Sequence, residues 1–160
     1  DYHTEIDETA ETFEGNALLK AKQIYAVFKT PDFADDSGLE VAALDGAPGI
    51  YSARYAGEEK DHKKNNAKLL DALAQTTNRK AQFKTAVAYV DANKEICFEG
   101  IVMGEIATAL SGTGGFGYDP LFIPEGYSQT FGALPRAIKL KISHRSRAIT
   151  ALFEYLKSLT

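Results

Sequence analysis

Two extended runs joined by four turn residues constrain this chain more than any other feature. AQFKTAVAYV (Ala81–Val90) and EICFEGIVMGEIATAL (Glu95–Leu110) flank DANK (Asp91–Lys94). Phe83, Thr85, Val87 and Tyr89 fall two apart, the period of a strand with one face buried. A four-residue connection between such runs suits a hairpin. The second run reads as one strand leading into another, and LFI (Leu121–Ile123) as a further short strand. Extended structure is also expected at Phe33–Ala34 and from Leu39 to Leu44.

Helical periodicity frames these strands. Phe13, Ala17, Ala21, Ile24, Tyr25 and Phe28 recur at three- and four-residue spacings, with Lys20, Lys22 and Lys29 largely off that stripe. Thr12 is the natural N-cap, and Pro31 stops the helix because proline cannot continue it. A second helix is predicted from about Lys60 to Ala74, with Ala67, Leu70 and Leu73 inward. The last, SHRSRAITALFEYLKSL, places Ile149, Leu152, Phe153, Leu156 and Leu159 on one side. Helices interleaved with a hairpin-containing sheet predict an α/β fold with a mixed sheet.

The 160 residues suit one domain. Net charge is −4 and the pI near 5.4, which disfavours a grip on a nucleic-acid polymer. The single cysteine, Cys97, allows no disulfide framework and no cysteine zinc site, which favours a reducing, cytoplasmic setting. Its EICFEG context points to packing. Apolar runs fall far short of the roughly 20 residues of a membrane helix.

Three stretches carry candidate chemistry. In FADDSGLEV, Asp35 and Asp36 precede Ser37 and Gly38. One reading is a solvated turn, with Asp36 folding back towards Gly38. The other is a site for a cation bound to an anionic substrate, since magnesium combines a few carboxylates with phosphate oxygens and water. Glu5, Asp7, Glu8 and Glu11 can supply further carboxylates or simply favour the start of the first helix.

The second stretch is GTGGFGYDP, whose glycines allow close backbone approach to a ligand. It is followed by a strand and lacks Gly-Lys-Ser/Thr, so it is neither a dinucleotide fingerprint nor a Walker loop. Phe116 and Tyr118 either stack on a base, worth about 1–3 kcal/mol, or are core aromatics in a tight turn. In the third stretch, Ser143 is an expected N-cap. His144 and Arg145 then occupy a first turn that disfavours cations, which points to another partner for them. His3 and His62 lack a supporting arrangement and are expected at the surface.

Together, ETAETFEGNALLKA, FADDSGLEVAALDGAPGIYSARYAG, GTGGFGYDPLF and ISHRSRA resemble the noncanonical purine nucleoside triphosphate pyrophosphatases, which act on ITP, XTP and dITP. The resemblance implies a long mixed sheet flanked by helices, with two lobes and a substrate cleft between them. It implies magnesium-dependent cleavage to the monophosphate and pyrophosphate by a cytoplasmic homodimer. Glu8 and Asp36 match the metal ligands, and Asp36 also the catalytic general base. Ser37, Phe116, Gly117, Tyr118, Asp119, Lys139, His144 and Arg145 match the substrate contacts. A buried Arg145 would meet the 6-oxo group of the base and reject an amino donor there. The family's opening strand and its Thr/Ser-x-Asn-x-x-Lys loop have no counterpart after Asp1. Residues 1–160 are therefore expected to form a single domain without that first strand. A related triphosphatase of different base preference and a non-catalytic nucleotide-binding module are the competing readings.

Overall fold

The central hairpin forms as its sequence requires. The computed structural model describes residues 10–159. In it β2 (Lys80–Val90) and β3 (Glu95–Ile106) pair antiparallel around the Asp91–Lys94 turn. The Asp91 amide donates to the Lys94 carbonyl at 3.0 Å, and the Asp91 carboxylate accepts from the amides of Asn93 and Lys94. The second run is therefore one long strand, not two.

β1 (Asp32–Val41) pairs with the other edge of β2, and β4 (Phe122–Pro124) adds to β3. The order is β1-β2-β3-β4. Among the described residues every pairing is antiparallel, where a mixed sheet is expected. Val41, the last residue of β1, faces Ala81 near the start of β2. The connection through α2 (His62–Ala72) thus re-enters at the end where β1 stops, and β2 must run back. The α/β class stands.

Strand alternation assigns each face of the sheet a different cover. Ala86, Ala88 and Val90 point to one face and pack under Phe13, Ala17 and Ala21 of α1 (Phe13–Phe28). The Thr12 hydroxyl caps α1 by accepting from the Gly15 amide at 3.0 Å. Phe28 lies beyond the sheet's cover and is exposed, although the periodicity puts it on the stripe. Of the expected inward residues of α2, Leu73 is buried, but Asn65, Asn66 and Leu69 replace Ala67.

The opposite face is shared. Leu39, Val41, Ala81 and Phe83 join Leu69, Leu73, Tyr118, Leu121, Phe122 and Phe131 in the largest core. Further along, Val87 meets Ala148 and Leu152 of α4 (His144–Ser158), while Phe153 of that helix and Leu159 just after it stay exposed. One continuous sheet therefore carries two separate covers, and fully buried Thr85 lies where they meet. A short helix, α3 (Arg136–Ile142), precedes α4 and has no clear periodic signal. The Ser143 hydroxyl caps α4 by accepting from the Ser146 amide at 3.2 Å.

Two glycines set the spacing of this arrangement. A Cβ on Gly38 would lie 2.4 Å from the Gly49 carbonyl oxygen, so glycine admits the 3-10 turn Gly49–Arg54 against β1. A Cβ on Gly100 would lie 1.9 Å from the His144 carbonyl oxygen and 2.6 Å from the Ala148 amide nitrogen. Both obstacles are backbone, so α4 itself would have to move. Gly100→Ala is expected to cost about 1–3 kcal/mol, the usual penalty of overpacking. Urea unfolding of the variant beside the parent measures it.

Candidate functional site

The two adjacent aspartates do not form a turn. β1 runs straight through them, with Asp35 opposite Val87, Asp36 opposite Ala86 and Ser37 opposite Thr85. Because successive side chains alternate, Asp36 shares the α1 face, whereas Asp35 and Ser37 share the α4 face. Asp36 is 9% exposed, and Lys20 Nζ of α1 lies 3.7 Å from its Oδ1. The same ammonium donates to the Asp35 carbonyl at 2.9 Å. Asp35 Oδ2 instead pairs with Arg145 Nε at 3.0 Å. One sequence doublet thus serves two faces.

A cavity of about 190 Å³ opens on the α4 face. Ser37, Gly38 and Leu39 of β1 border it, with Phe83 of β2, Phe116–Asp119, Lys139 and His144. The aromatic pair of the glycine-rich loop divides in role. Tyr118 is buried, donates to the Ser52 carbonyl at 2.6 Å, and has its phenol pKa pushed up by burial. It anchors the loop. Phe116 is 65% exposed, with Lys139 Nζ 4.5 Å from its ring centroid. Its ring is the one left open at the cavity.

Buried Asp119 ties these parts together. Its Oδ2 accepts from the Phe116 amide at 3.0 Å and from the Lys139 ammonium. Gly115 sits at φ +69°, and a Cβ there would lie 2.0 Å from that carboxylate oxygen. The Gly117 carbonyl accepts from Asn66 Nδ2 of α2 at 3.0 Å. The loop is held from three sides before any ligand arrives.

His144 closes the cavity at the N-terminus of α4. Its ring stacks on Phe83 at 4.9 Å with an interplanar angle of 16°, and its Nδ1 meets the Thr85 hydroxyl. Burial, then the nearby charges of Arg145 and Lys139, push its pKa down to about 3. The ring is neutral at physiological pH. Arg145, expected to be buried, has a half-exposed side chain and does not line the cavity.

A larger cavity, about 530 Å³, opens on the opposite face between Glu11, Glu14, Glu40, Asp45 and Lys84. It is lined by Glu11, Thr12, Phe13 and Glu14 and by Glu40 and Asp45 to Tyr51, all within the first two resembling stretches, but by none of the expected substrate contacts, most of which border the smaller cavity.

Comparison with known proteins gives the family. The model of the Ham1 family matches residues 1–155. The chain belongs to the Ham1 family. It is 50% identical over 152 residues to the dITP/XTP pyrophosphatase of Flavobacterium johnsoniae, covering 95% of this chain and 79% of that one. It is 49% identical over 153 residues to the protein of the same name from Porphyromonas gingivalis, with the same coverage. The solved Ham1 protein of Staphylococcus aureus superposes with a TM-score of 0.95 at 43% identity, covering 99% of this chain and 83% of that one. The dITP/XTP pyrophosphatase structure from Mycobacterium abscessus gives 0.82 at 41% identity, covering 95% and 79%.

Several features of this Ham1 site escape the sequence reading. Lys20 reads as solvent-facing, yet it lies seven residues after Phe13 and three after Ala17, spacings that turn it towards the sheet. His62 reads as a surface residue; it is exposed but also borders the cavity. Thr85 carries no motif at all. Glu8, the other expected metal ligand, lies outside the described residues.

Among the described residues no cluster of three or more His, Cys, Asp or Glu side chains can hold a metal. Asp36 is a buried hard-oxygen donor, which fits a divalent cation held by one or two carboxylates and completed by phosphate and water.

The lowered pKa of His144 has a consequence for stability. An unfolded chain binds a proton on this residue below its ordinary pKa of about 6.5, while the native chain binds it only near pH 3. The His144 contribution is therefore complete above about pH 6.5 and is lost as pH falls from there. The ring resonances should not titrate between about pH 8 and pH 5, a range centred on an ordinary histidine. His144→Gln should flatten the fall in Tm over the same interval.

Proposed function

We propose that this protein hydrolyses noncanonical purine nucleoside triphosphates (ITP, dITP and XTP) to the monophosphate and pyrophosphate, with magnesium as cofactor, and so cleanses the nucleotide pool. The observation that carries the reading is a cavity that gathers Ser37, Phe116, Asp119, Lys139 and His144 beside the strand that holds buried Asp36. Phe116 borders a cavity that opens beside Ser37, and Ser37 follows buried Asp36 directly. The relatives named dITP/XTP pyrophosphatases support the substrate class.

In this reading the base stacks on Phe116 while Asp119 and Lys139 hold the loop in place. Gly117 and Tyr118 shape the same turn. The Ser37 hydroxyl donates to the ligand, and Arg145, braced by Asp35, contacts it from the rim. Asp36, with Glu8, would hold magnesium, which when bound would offset charge on the phosphates. Asp36 also orients a water in line with the α-phosphorus. That water gives a proton to Asp36 as it forms the new P–O bond, the bond from the α-phosphorus to the bridging oxygen breaks, and pyrophosphate leaves.

No helix among the described residues is long and apolar enough to cross a membrane. We place the protein in the cytoplasm as a homodimer, a reading supported by the single free cysteine and the exposed Tyr51 and Met103 side chains.

Pyrophosphate release from ITP, XTP, ATP and GTP, with magnesium and with a chelator, tests the function. ITP and XTP should be preferred, and the chelator should abolish turnover. Equal use of ATP would point to a triphosphatase of different base preference, and binding without release to a nucleotide-binding module. Asp36→Asn should lower turnover at least about a hundredfold while the fold is kept, as for a group acting in the transition state. Asp35→Asn should do less, because its carboxylate is engaged by Arg145. Phe116→Ala should raise KM for every purine triphosphate by a similar factor, since stacking tolerates any base.

A further inference from the structure

Thr85 lies at the middle of β2, is fully buried, and has His144 Nδ1 as its hydroxyl's hydrogen-bond partner among the described residues. A hydroxyl sealed in a core must place its proton on an acceptor, or it forfeits a hydrogen bond. His144 Nδ1 is the acceptor within reach. If that nitrogen carried a proton instead, it would donate to the threonine oxygen, and the threonine proton would be left with no acceptor side chain among its partners in the described residues. The contact therefore fixes the ring as the tautomer with a bare Nδ1 and a protonated Nε2.

Nε2 has no hydrogen-bond partner among the described residues and is not a sealed interior atom. The residue borders the cavity, and the Phe83 stack keeps the ring from rotating away. His144 thus offers a fixed, uncharged N–H donor at the border of the cavity.

We propose that Thr85 is a specificity-determining positioning residue, which sets the His144 tautomer so that Nε2–H donates to the 6-oxo group of the bound purine. The inference rests on the function proposed above and names how that site selects its base. Hypoxanthine, xanthine and guanine present an acceptor at position 6. Adenine presents an amino donor, which leaves both donors unpaired. Thr85 therefore acts against adenine and is indifferent to position 2. It takes over the discrimination that the sequence alone assigns to Arg145, whose guanidinium pairs with Asp35 outside the cavity.

The test uses the full chain, with the parent, Thr85→Val and Thr85→Ser compared. Nitrogen-15 spectra of the His144 ring in the parent should show bare Nδ1 and protonated Nε2. Thr85→Val keeps the shape but removes the hydroxyl, so the tautomers should mix. The kcat/KM ratio of ITP to ATP should then fall about threefold to tenfold, the value of one lost hydrogen bond. The ITP-to-GTP ratio should stay unchanged, and Thr85→Ser should restore both the spectrum and the ITP-to-ATP ratio.

A proton on Nδ1 in the parent overturns the proposal. So does a valine variant with an unaltered ITP-to-ATP ratio, or one that loses ITP, GTP and ATP turnover equally, as mere disruption of the pocket would produce. If the parent hydrolyses none of these nucleotides, the functional reading fails and base selection with it. The ring spectra still decide separately whether Thr85 governs His144.

Discussion

The ten-residue β1 strand is aligned with β2 so that Asp36 faces Ala86 and Ser37 faces Thr85. That register decides which side chain reaches which neighbour. A slip of one residue would exchange the faces of Asp35 and Asp36, because the side-chain period of a strand is two. Asp35 would then lie under α1 and Asp36 beside Arg145. Slippage is opposed by the core itself, since Leu39 and Val41 are fully buried on one face and would be driven to the other. The apolar pattern that folds the sheet thus also places the chemistry.

Much of this was legible in the sequence. The hairpin, the first helix with its Thr12 cap and the last with its Ser143 cap follow from periodicity and local hydrogen-bonding chemistry. The loop residues 116–119 and His144 come together at one cavity, as their motifs suggest. The acidic doublet was less legible, because Asp-Asp-Ser-Gly has the composition of a turn. Strand pairing overrides that local preference: Gly38 supplies close approach to the Gly49 carbonyl, not flexibility. Thr85 was invisible as a site residue, since threonine in a strand is unremarkable until the helix crossing it is known. That crossing depends on Gly100, whose missing side chain admits the backbone of His144.

The roles of the paired aromatics were open for a similar reason. Spacing alone cannot separate Phe116 from Tyr118. The phenol hydroxyl makes the difference, because a buried tyrosine must satisfy it, and the Ser52 carbonyl does so. Phenylalanine has no such requirement and can remain at the opening. An anchored ring beside a presented ring is the outcome of that one oxygen atom.

The charges along β1 and at the cavity bear on how the proposed triphosphate would be met. Lys20 lies beside Asp36, Arg145 beside Asp35, and Lys139 beside Asp119. Each cation has a carboxylate neighbour, so these three pairs are together formally neutral. A triphosphate approaching them finds positive charge already engaged, and drawing a cation away would strand a buried or half-buried carboxylate, which is costly. Countercharge brought with the substrate avoids that rearrangement. The neutral His144 fits the same logic, since a hydrogen bond from an uncharged donor distinguishes an oxo group from an amino group without adding a cation that phosphate would compete for. In the proposed function, recognition of the base and compensation of the phosphates thereby fall to different groups, and a change in one need not disturb the other.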